Sequence, residues 1–177
     1  MRKLIVSSLV SLDGSYGDPQ GWAGDYFDEQ AAAESLAVLL ESDAMLMGRN
    51  TYDYFAPAFS SPSGPYLERI YEMRKYVFSS TLTAAGWNNT TIIRDDPVAA
   101  VRELKQQGDR HLVIYGYGQL AQTLLEHGLV DQLNFVINPV MVGGGTTLFR
   151  PGKRVNLRLV SVTERGNGAV ILSYANA

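Results

Sequence analysis

The chain has 177 residues, 46% of them apolar and 19% charged, with a formal net charge of −3 and a pI near 5.3. That length predicts one domain able to bury roughly 70% of its unfolded surface, and the acidic balance argues against a dedicated nucleic-acid binder, which carries a basic face. The absence of cysteine excludes disulfides, thiolate metal sites and cysteine nucleophiles, and the only two histidines, His111 and His127, stand in no ligand spacing, so no metal is expected.

The first segment, MRKLIVSSLVSL, has the two basic residues and apolar stretch of a signal peptide, but Ser7 and Ser8 interrupt it and Asp13 closes it without a small-x-small cleavage site. It reads instead as a central strand over 2–12, apolar on both faces. No stretch approaches the roughly 20 apolar residues of a membrane span, so a cytoplasmic protein with no membrane partner is expected. Asp13–Gly24 is a loop with four glycines and a proline, of the kind that forms lids and binding loops. A helix is predicted over 25–41, with Asp28 as a cap and Ala32, Leu36, Leu39 and Leu40 on one face. A strand over 44–47, short helices over 51–55 and 66–73, and strands over 76–79 and 91–93 follow. Pro97 opens a helix that Gly108 ends. A strand over 111–115, a helix over 118–127 and a strand over 133–140 complete the alternation. Beyond the glycine loop at 143–145, strands over 156–163 and 169–174 close a hairpin around Gly166-Asn167-Gly168. The pattern predicts an α/β domain with a mostly parallel sheet and an antiparallel edge.

Three strand ends share a design. Met47 runs into Gly48-Arg49-Asn50-Thr51, Phe78 into Ser79-Ser80-Thr81, and Tyr115 into Gly116-Tyr117-Gly118-Gln119. Ligands of open α/β sheets bind at the carboxyl ends of the strands, where helix N-termini offer free N–H groups to phosphates. Arg49 adds a planar fork of donors, whose object is either a carboxylate of the protein or a phosphate of a ligand. Gly116–Ala121 also matches G-x-G-x-x-A. That fingerprint wants an acid after the next strand, however, and Asp131 comes before it.

In chain order the sequence carries Ser-Leu-Asp-Gly (Ser11–Gly14), Gly-Arg-x-Thr-Tyr (Gly48–Tyr52), Ser-x-Thr-Leu (Ser79–Leu82), Gly-x-Gly-x-Leu (Gly116–Leu120), Gly-Leu-Val-Asp (Gly128–Asp131) and Pro-Val-x-x-Gly-x-Gly-x-x-Leu-Phe (Pro139–Phe149). Over nearly the whole chain this set resembles the dihydrofolate reductase-like superfamily. The similarity is greatest to the reductase domain of the bifunctional deaminase–reductase of riboflavin biosynthesis and its stand-alone relatives. The resemblance implies a three-layer α/β fold over residues 1–177. Its central sheet would be mixed, mostly parallel, of about eight strands, with an antiparallel C-terminal hairpin.

The resemblance also implies NADPH as cofactor. Arg49, helped by Ser79 and Ser80, would hold the 2′-phosphate, and Gly48 beside it would also meet the cofactor. Thr51 and the turn of Gly116, Tyr117, Gly118, Gln119 and Leu120 would hold the diphosphate, with Asp13, Gly14 and Gly17 flanking the nicotinamide. Trp22, Asp28 and Tyr52 would meet the substrate. Asp13 and Asp28 are the catalytic candidates, Asp25 is a nearby carboxylate, and a capping role for Asp28 stays open beside the catalytic one. Tyr117 departs from the family, which carries glycine or a small residue there. No His-x-Glu with Pro-Cys-x-x-Cys zinc signature of a deaminase exists in the chain.

Three readings stand. The first is an NADPH-dependent reductase of a small heterocyclic or sugar-derived substrate, acting like 5-amino-6-(5-phosphoribosylamino)uracil reductase or like dihydrofolate reductase. The second is a non-catalytic NADP-binding sensor or interaction protein. The third is a Rossmann dehydrogenase, which the strand order decides. The resemblance and the late aromatic residues Phe135 and Phe149 lead to the expectation of a homodimer. Trp22 is either part of a mobile lid over the nicotinamide or a core residue.

Overall fold

In the computed structural model, residues 2–149 and 151–177 are described; Met1 and Arg150, part of the expected 1–177 unit, lie outside them. The elements in chain order are β1 (Leu4–Ser11), α1 (Glu29–Leu40), β2 (Ser42–Gly48), α2 (Arg49–Ala58), α3 (Pro65–Glu72), β3 (Arg74–Phe78), β4 (Thr90–Ile93), α4 (Pro97–Leu104), β5 (His111–Tyr115), α5 (Gln119–Glu126), β6 (Gln132–Asn138), β7 (Leu157–Glu164) and β8 (Val170–Asn176). The eight strands form one sheet in the order β4-β3-β2-β5-β1-β6-β8-β7. β1 to β6 run parallel to one another, whereas β8 runs antiparallel to both β6 and β7. This is the mixed, mostly parallel sheet with an antiparallel C-terminal hairpin that the sequence implied. Its order differs from the 3-2-1-4-5-6 of a dinucleotide-binding Rossmann sheet and removes that reading.

Alternation along the strands sorts the core into two halves. Ala44 and Leu46 of β2 and Leu112 and Ile114 of β5 join Val101 and Leu104 of α4 and Ala121, Leu124 and Leu125 of α5. Met45, Met47 and Val113 face the other way and pack with Leu39 of α1, Tyr52 of α2 and Ile70 of α3. The result is three layers, with α1, α2 and α3 on one face of the sheet and α4 and α5 on the other. The apolar face expected of α1 is narrower than the sequence suggested. A separate 3-10 turn at Gly24–Tyr26 precedes the helix, which starts only at Glu29. Leu39 is buried, but Leu40, at the last position, points out and is 57% exposed.

Chain order and strand order together create a crevice. From β1 the chain steps over β5 to β2 and on to β3 and β4. It then returns to β5 and steps over β1 to β6. The helices that follow β1 and β5 therefore lie on opposite faces, which opens the sheet at the carboxyl ends of these neighbours. Register deepens the crevice. Tyr115 ends β5 opposite Ser7, while β1 and β6 run on together to Ser11 and Asn138. Those four further residues raise a step of about 13 Å over the end of β5.

β3 begins two residues earlier than the sequence suggested, and this places Lys75 inside the sheet with no exposed surface. Its ammonium donates to the carbonyls of Tyr71 (2.7 Å), Met73 (2.9 Å) and Asn88 (3.1 Å), and it lies 4.4 Å from the centre of the Trp87 ring. Burial, and after it the charge of Arg69, pull its pKa down to about 8. The unfolded chain keeps this proton up to the ordinary lysine range. Between pH 8 and about 10.5 the unfolded state therefore binds more protons, and the contribution of Lys75 to stability rises with pH. Lys75→Met should abolish that rise in a series of denaturant melts between pH 7 and 10. It should also cost about 1–3 kcal/mol at neutral pH, because the Met73 carbonyl loses the ammonium and those of Tyr71 and Asn88 keep only the longer bonds from Asn88 Nδ2 (3.4 Å) and Thr90 Oγ1 (3.3 Å).

Candidate functional site

At the crevice three turns follow adjacent strands: Gly48-Arg49 after β2, Ser79–Thr81 after β3 and Gly116–Gly118 after β5. Gly48 caps α2 and Gly118 caps α5, and neither helix start has a side-chain cap, so their first N–H groups face the edge of the sheet unshielded. Gly48 and Gly118 have ordinary negative φ values, −81° and −72°. A Cβ added at either would meet nothing within 4 Å. Neither backbone conformation nor a protein neighbour demands glycine at these positions. Open space over bare N–H groups is what an approaching diphosphate requires.

Arg49 is the first residue of α2. Its Nε donates to both oxygens of Asp53, at 2.7 and 2.6 Å, in a pair open to solvent. The question raised by the sequence is thus half answered: Arg49 has a carboxylate, but an exposed one. Its two terminal NH2 groups bond to none of the described residues. Ser79 forms a turn in which its Oγ accepts from the N–H groups of Thr81 (3.3 Å) and Leu82 (3.0 Å), and Ser80 beside it is exposed. Thr51 is half-buried in the first turn of α2. Gln119 and Leu120 open α5, with Gln119 exposed.

Tyr117 turns its ring back onto the α5 side of the sheet, edge-on to Phe135 (5.2 Å) and to Tyr16 (5.8 Å). The space it fills is beneath the turn. Gln122 of α5 locks the arrangement, donating to the Tyr117 carbonyl (2.6 Å) and to the Tyr16 hydroxyl (3.0 Å).

The loop after β1 is tied along its first half. Leu12 N–H donates to Val140 O, Tyr16 and Gly17 N–H to Thr146 O, and Leu148 N–H to Gly14 O. Gly14 has φ +85°, and a Cβ there would stand 2.7 Å from the Phe149 ring. Asp13 pins the glycine loop with both oxygens, accepting from Ser11 Oγ (2.5 Å), Val142 N–H (3.2 Å) and Gly143 N–H (2.7 Å). The Ser11 hydroxyl first, then the Gly143 and Val142 N–H groups, hold its carboxyl below the usual carboxylate range. A carboxylate held this way accepts hydrogen bonds and is a poor proton donor at neutral pH. Trp22 is half-buried outside both core clusters, and its indole N–H donates to Gly17 O at 3.1 Å, closing the second half of the loop on itself.

Asp28 caps α1: one oxygen accepts from Ala31 N–H (2.9 Å), the other from Asn167 Nδ2 (2.9 Å) in the β7–β8 turn. Asp25 is exposed in the preceding 3-10 turn. Tyr52 is buried beside Trp87, and its hydroxyl accepts from Gly86 N–H at 3.0 Å, which makes it a core residue of the α2 layer. The structure thus gathers the glycine turns, Arg49, Ser79, Ser80 and the Asp13 loop at one edge. It leaves Tyr52 and the carboxylate of Asp28 engaged elsewhere.

Sequence reasoning passed over a second feature of the crevice. Tyr115, the residue before Gly116, falls on the α1–α3 face, as its spacing of two from Val113 could have told. Its hydroxyl donates to Ser35 O of α1 (3.4 Å) and is hydrogen-bonded to the Tyr66 hydroxyl of α3. The Phe27 ring lies 5.6 Å from that of Tyr66. Burial pushes Tyr66 up to about 12 and Tyr115 well above the ordinary phenol value, so both stay neutral. Together they form an aromatic contact between α1 and α3 at the end of β5.

The family model for the RibD C-terminal domain matches residues 2–171. The chain is 28% identical over 179 residues to the uncharacterized protein YyaP of Bacillus subtilis, covering 98% of this chain and 94% of that one. In fold it is similar to a putative riboflavin biosynthesis protein from Shewanella sp. PV-4, with a TM-score of 0.78, 22% identity and 99% of each chain covered. It is also similar to the diaminohydroxyphosphoribosylaminopyrimidine deaminase/5-amino-6-(5-phosphoribosylamino)uracil reductase of Thermotoga maritima, with a TM-score of 0.65 and 16% identity, over 99% of this chain and 57% of that one.

The bonds of Asp28 set an expectation for stability. Asp28→Ala should cost about 1–2 kcal/mol through loss of the cap, and Asp28→Asn should keep most of it, because asparagine caps equally well. Calorimetric melting of the three proteins checks this, and an unchanged Tm for Asp28→Ala would remove the cap.

Proposed function

The chain belongs to the RibD C-terminal domain family, and on that premise we propose that it is an NADPH-dependent reductase of a small heterocyclic or sugar-derived substrate. The observation that carries the reading is Arg49. A cation in the first turn of a helix stands against the helix dipole, and α2 has no acid in that turn to offset it. Asp53, one turn on, engages only Nε. A dianionic phosphate would supply what this position lacks, and the 2′-phosphate is what separates NADPH from NADH. Bare N–H groups beside Gly48 and Gly118, under open space, suit the diphosphate in the same way.

In this proposal Arg49, Ser79 and Ser80 hold the 2′-phosphate. Gly48, Thr51 and the turn Gly116–Leu120 hold the diphosphate, and Gly14 and Gly17 flank the nicotinamide, with Trp22 nearby. The cofactor, when bound, supplies hydride. The chain's residues orient it and exclude water, a task for which the step formed by β1 and β6 is suited. The substrate would lie beside the nicotinamide at the carboxyl end of β5, where Gly116 follows Tyr115. The second reading, a non-catalytic NADP-binding sensor, draws on one observation: both carboxylates first considered for catalysis, Asp13 and Asp28, have their oxygens engaged.

The proposal extends to a pair of chains. Phe135 packs inside against Tyr117 and is not free for a partner. Leu159, Val160 and Val162 on the edge strand β7 are each at least half exposed and would take that role. A monomeric mass in light scattering at micromolar concentration would end this part of the reading.

The test of the whole is cofactor binding. NADPH should bind more tightly than NADH. Arg49→Ala should narrow the preference roughly ten- to a hundredfold, matching the ~1.5–3 kcal/mol of a charge-assisted bond to phosphate. Equal affinities for the two nucleotides in the unmutated protein would remove Arg49 from the site. Oxidation of NADPH, followed at its absorbance band with pyrimidine, pterin and folate substrates, separates reductase from sensor.

A further inference from the structure

We infer that Gln122 is a positioning residue for the cofactor: its side-chain amide holds the Tyr117–Gly118 peptide so that the Gly118 N–H faces the diphosphate. The inference rests on the reductase reading above for the place of the diphosphate. Its own grounds are the bonds made by one glutamine.

Gln122 stands one turn into α5 and is 6% exposed. Its backbone N–H donates to the Gly118 carbonyl at 3.1 Å, as helix geometry requires. Its side chain reaches one residue further back. There Nε2 donates to the Tyr117 carbonyl at 2.6 Å. Two successive carbonyls are thus drawn toward the body of α5. A trans peptide is planar, with its C=O and N–H pointing opposite ways, and the Tyr117–Gly118 peptide is trans. Drawing the Tyr117 oxygen toward Gln122 therefore turns the Gly118 N–H away from it, to the open side of the turn. That N–H bonds to none of the described residues. It lengthens by one the row of free donors with which α5 begins.

This peptide needs a lock. Tyr117 lies between Gly116, at φ +92°, and Gly118, at φ −72°. Turning the peptide over would carry Gly118 from negative to positive φ, which glycine adopts without steric cost. The turned peptide would present the Tyr117 carbonyl to the phosphates, an oxygen lone pair against an anion. The glycine that leaves room for a ligand also leaves the peptide free to turn, and Gln122 removes that freedom.

The amide is itself held. It also donates to the Tyr16 hydroxyl at 3.0 Å, and the Tyr16 N–H is fixed to Thr146 O at 2.9 Å. Its Oε1 is buried and has no partner among the described residues. Exchanging the two ends of the amide would set that oxygen against the Tyr117 oxygen, so the orientation is forced. A buried acceptor without a donor costs stability. Gln122 shares a cavity of about 240 Å³ with Leu125, Leu133 and Phe135, where an apolar side chain would fit. Folding alone is served there by an apolar residue; the pinned carbonyl is what a glutamine adds.

Calorimetry with NADPH and with adenosine 2′-monophosphate tests this. The second ligand has the phosphate assigned to Arg49 and no diphosphate. Gln122→Met keeps the length of the side chain and removes its donors without adding charge. It should weaken NADPH about fivefold or more, the worth of one bond from N–H to phosphate. Its affinity for adenosine 2′-monophosphate should stay within about twofold, because Arg49 is a separate contact. A circular dichroism melt confirms that the variant is folded, and Gln122→Leu takes its place if it is not. Nuclear magnetic resonance reads the donor directly. The Gly118 amide proton should move downfield when NADPH is added to the unmutated protein, and the movement should shrink in the variant. A folded variant that binds NADPH like the original overturns the inference. So does an equal loss for both ligands, or a Gly118 amide that NADPH leaves unmoved. Failure of the unmutated protein to bind NADPH removes the reductase reading and this inference with it, an outcome distinct from the other three.

Discussion

The step in the sheet is the constraint on which the site depends. Where β1 outruns β5 by four residues, its backbone groups lose a strand partner on one side and must find others. The chain meets that demand with itself. Ser11 N–H donates to Ser15 O, Leu12 N–H to Val140 O, Tyr16 N–H to Thr146 O and Leu148 N–H to Gly14 O. Asp13 closes the structure by taking N–H groups of the glycine loop. Without that clasp two loops would hang over the end of β5; with it they form a wall. The glycines at 14 and 145 are what let the two loops approach, since a side chain at either would run into Phe149 or Ser15.

A second regularity concerns cations. Arg2 donates to the Leu104 carbonyl (2.9 Å) and to that of Gln107 at the end of α4. Arg69 reaches the Leu39 (3.1 Å) and Ser42 (2.6 Å) carbonyls at the end of α1, and Lys75 the Tyr71 and Met73 carbonyls at the end of α3. Each satisfies carbonyls a helix leaves unpaired and complements the negative end of its dipole. Helices end at the amino edge of a parallel sheet, so these cations gather there. At the carboxyl edge, where helices begin, Asp28 and Asp96 cap α1 and α4. The charges at the helix ends are thus sorted by the direction of the helices, and Arg49, at the start of α2, stands against that division; Arg94, just past β4, is at the same edge and donates to Leu82 O (2.8 Å).

Much of this was legible in the sequence because it is periodic or local. The order of strands and helices, the antiparallel hairpin and the glycine turns follow from apolar spacing and turn residues. The boundaries that went astray did so for a physical reason. The sequence alone starts β3 at Tyr76; only tertiary packing against Trp87 and three carbonyls makes Lys75 a core residue. Tyr52 was read as facing a substrate because it follows Gly-Arg-x-Thr, but the turn of the helix carries it into the core beside Trp87. The contact of Phe27, Tyr66 and Tyr115 joins three distant segments, and no local pattern brings them together. The carboxylate of Asp28 shows the limit from the other side: a cap and a catalytic acid occupy the same place in a sequence, and only the partner of the second oxygen, Asn167, sets them apart.

Tyr117 shows how a departure from a family pattern can be absorbed. A phenol in a turn that elsewhere carries a small residue would obstruct a ligand if it stood above the turn. Here it goes below, edge-on to Phe135, and its carbonyl is fixed by Gln122, which also holds the Tyr16 hydroxyl. One amide therefore couples the turn after β5 to the loop after β1. The open space over Gly116 and Gly118 is preserved, and the backbone around it is set before any ligand arrives. This changes what can move. The loop over 13–17 is bonded to 140–148 and, through Tyr16, to α5, so it is part of the wall. Only the part from Asp18 to Gly24 is left to act as a lid. Two short 3-10 turns and the Trp22 bond to Gly17 hold it, and Tyr26 at the end of the second turn hinges it to the sheet, its hydroxyl donating to Pro139 O (3.5 Å) and its carbonyl accepting from Asn167 Nδ2 (3.1 Å).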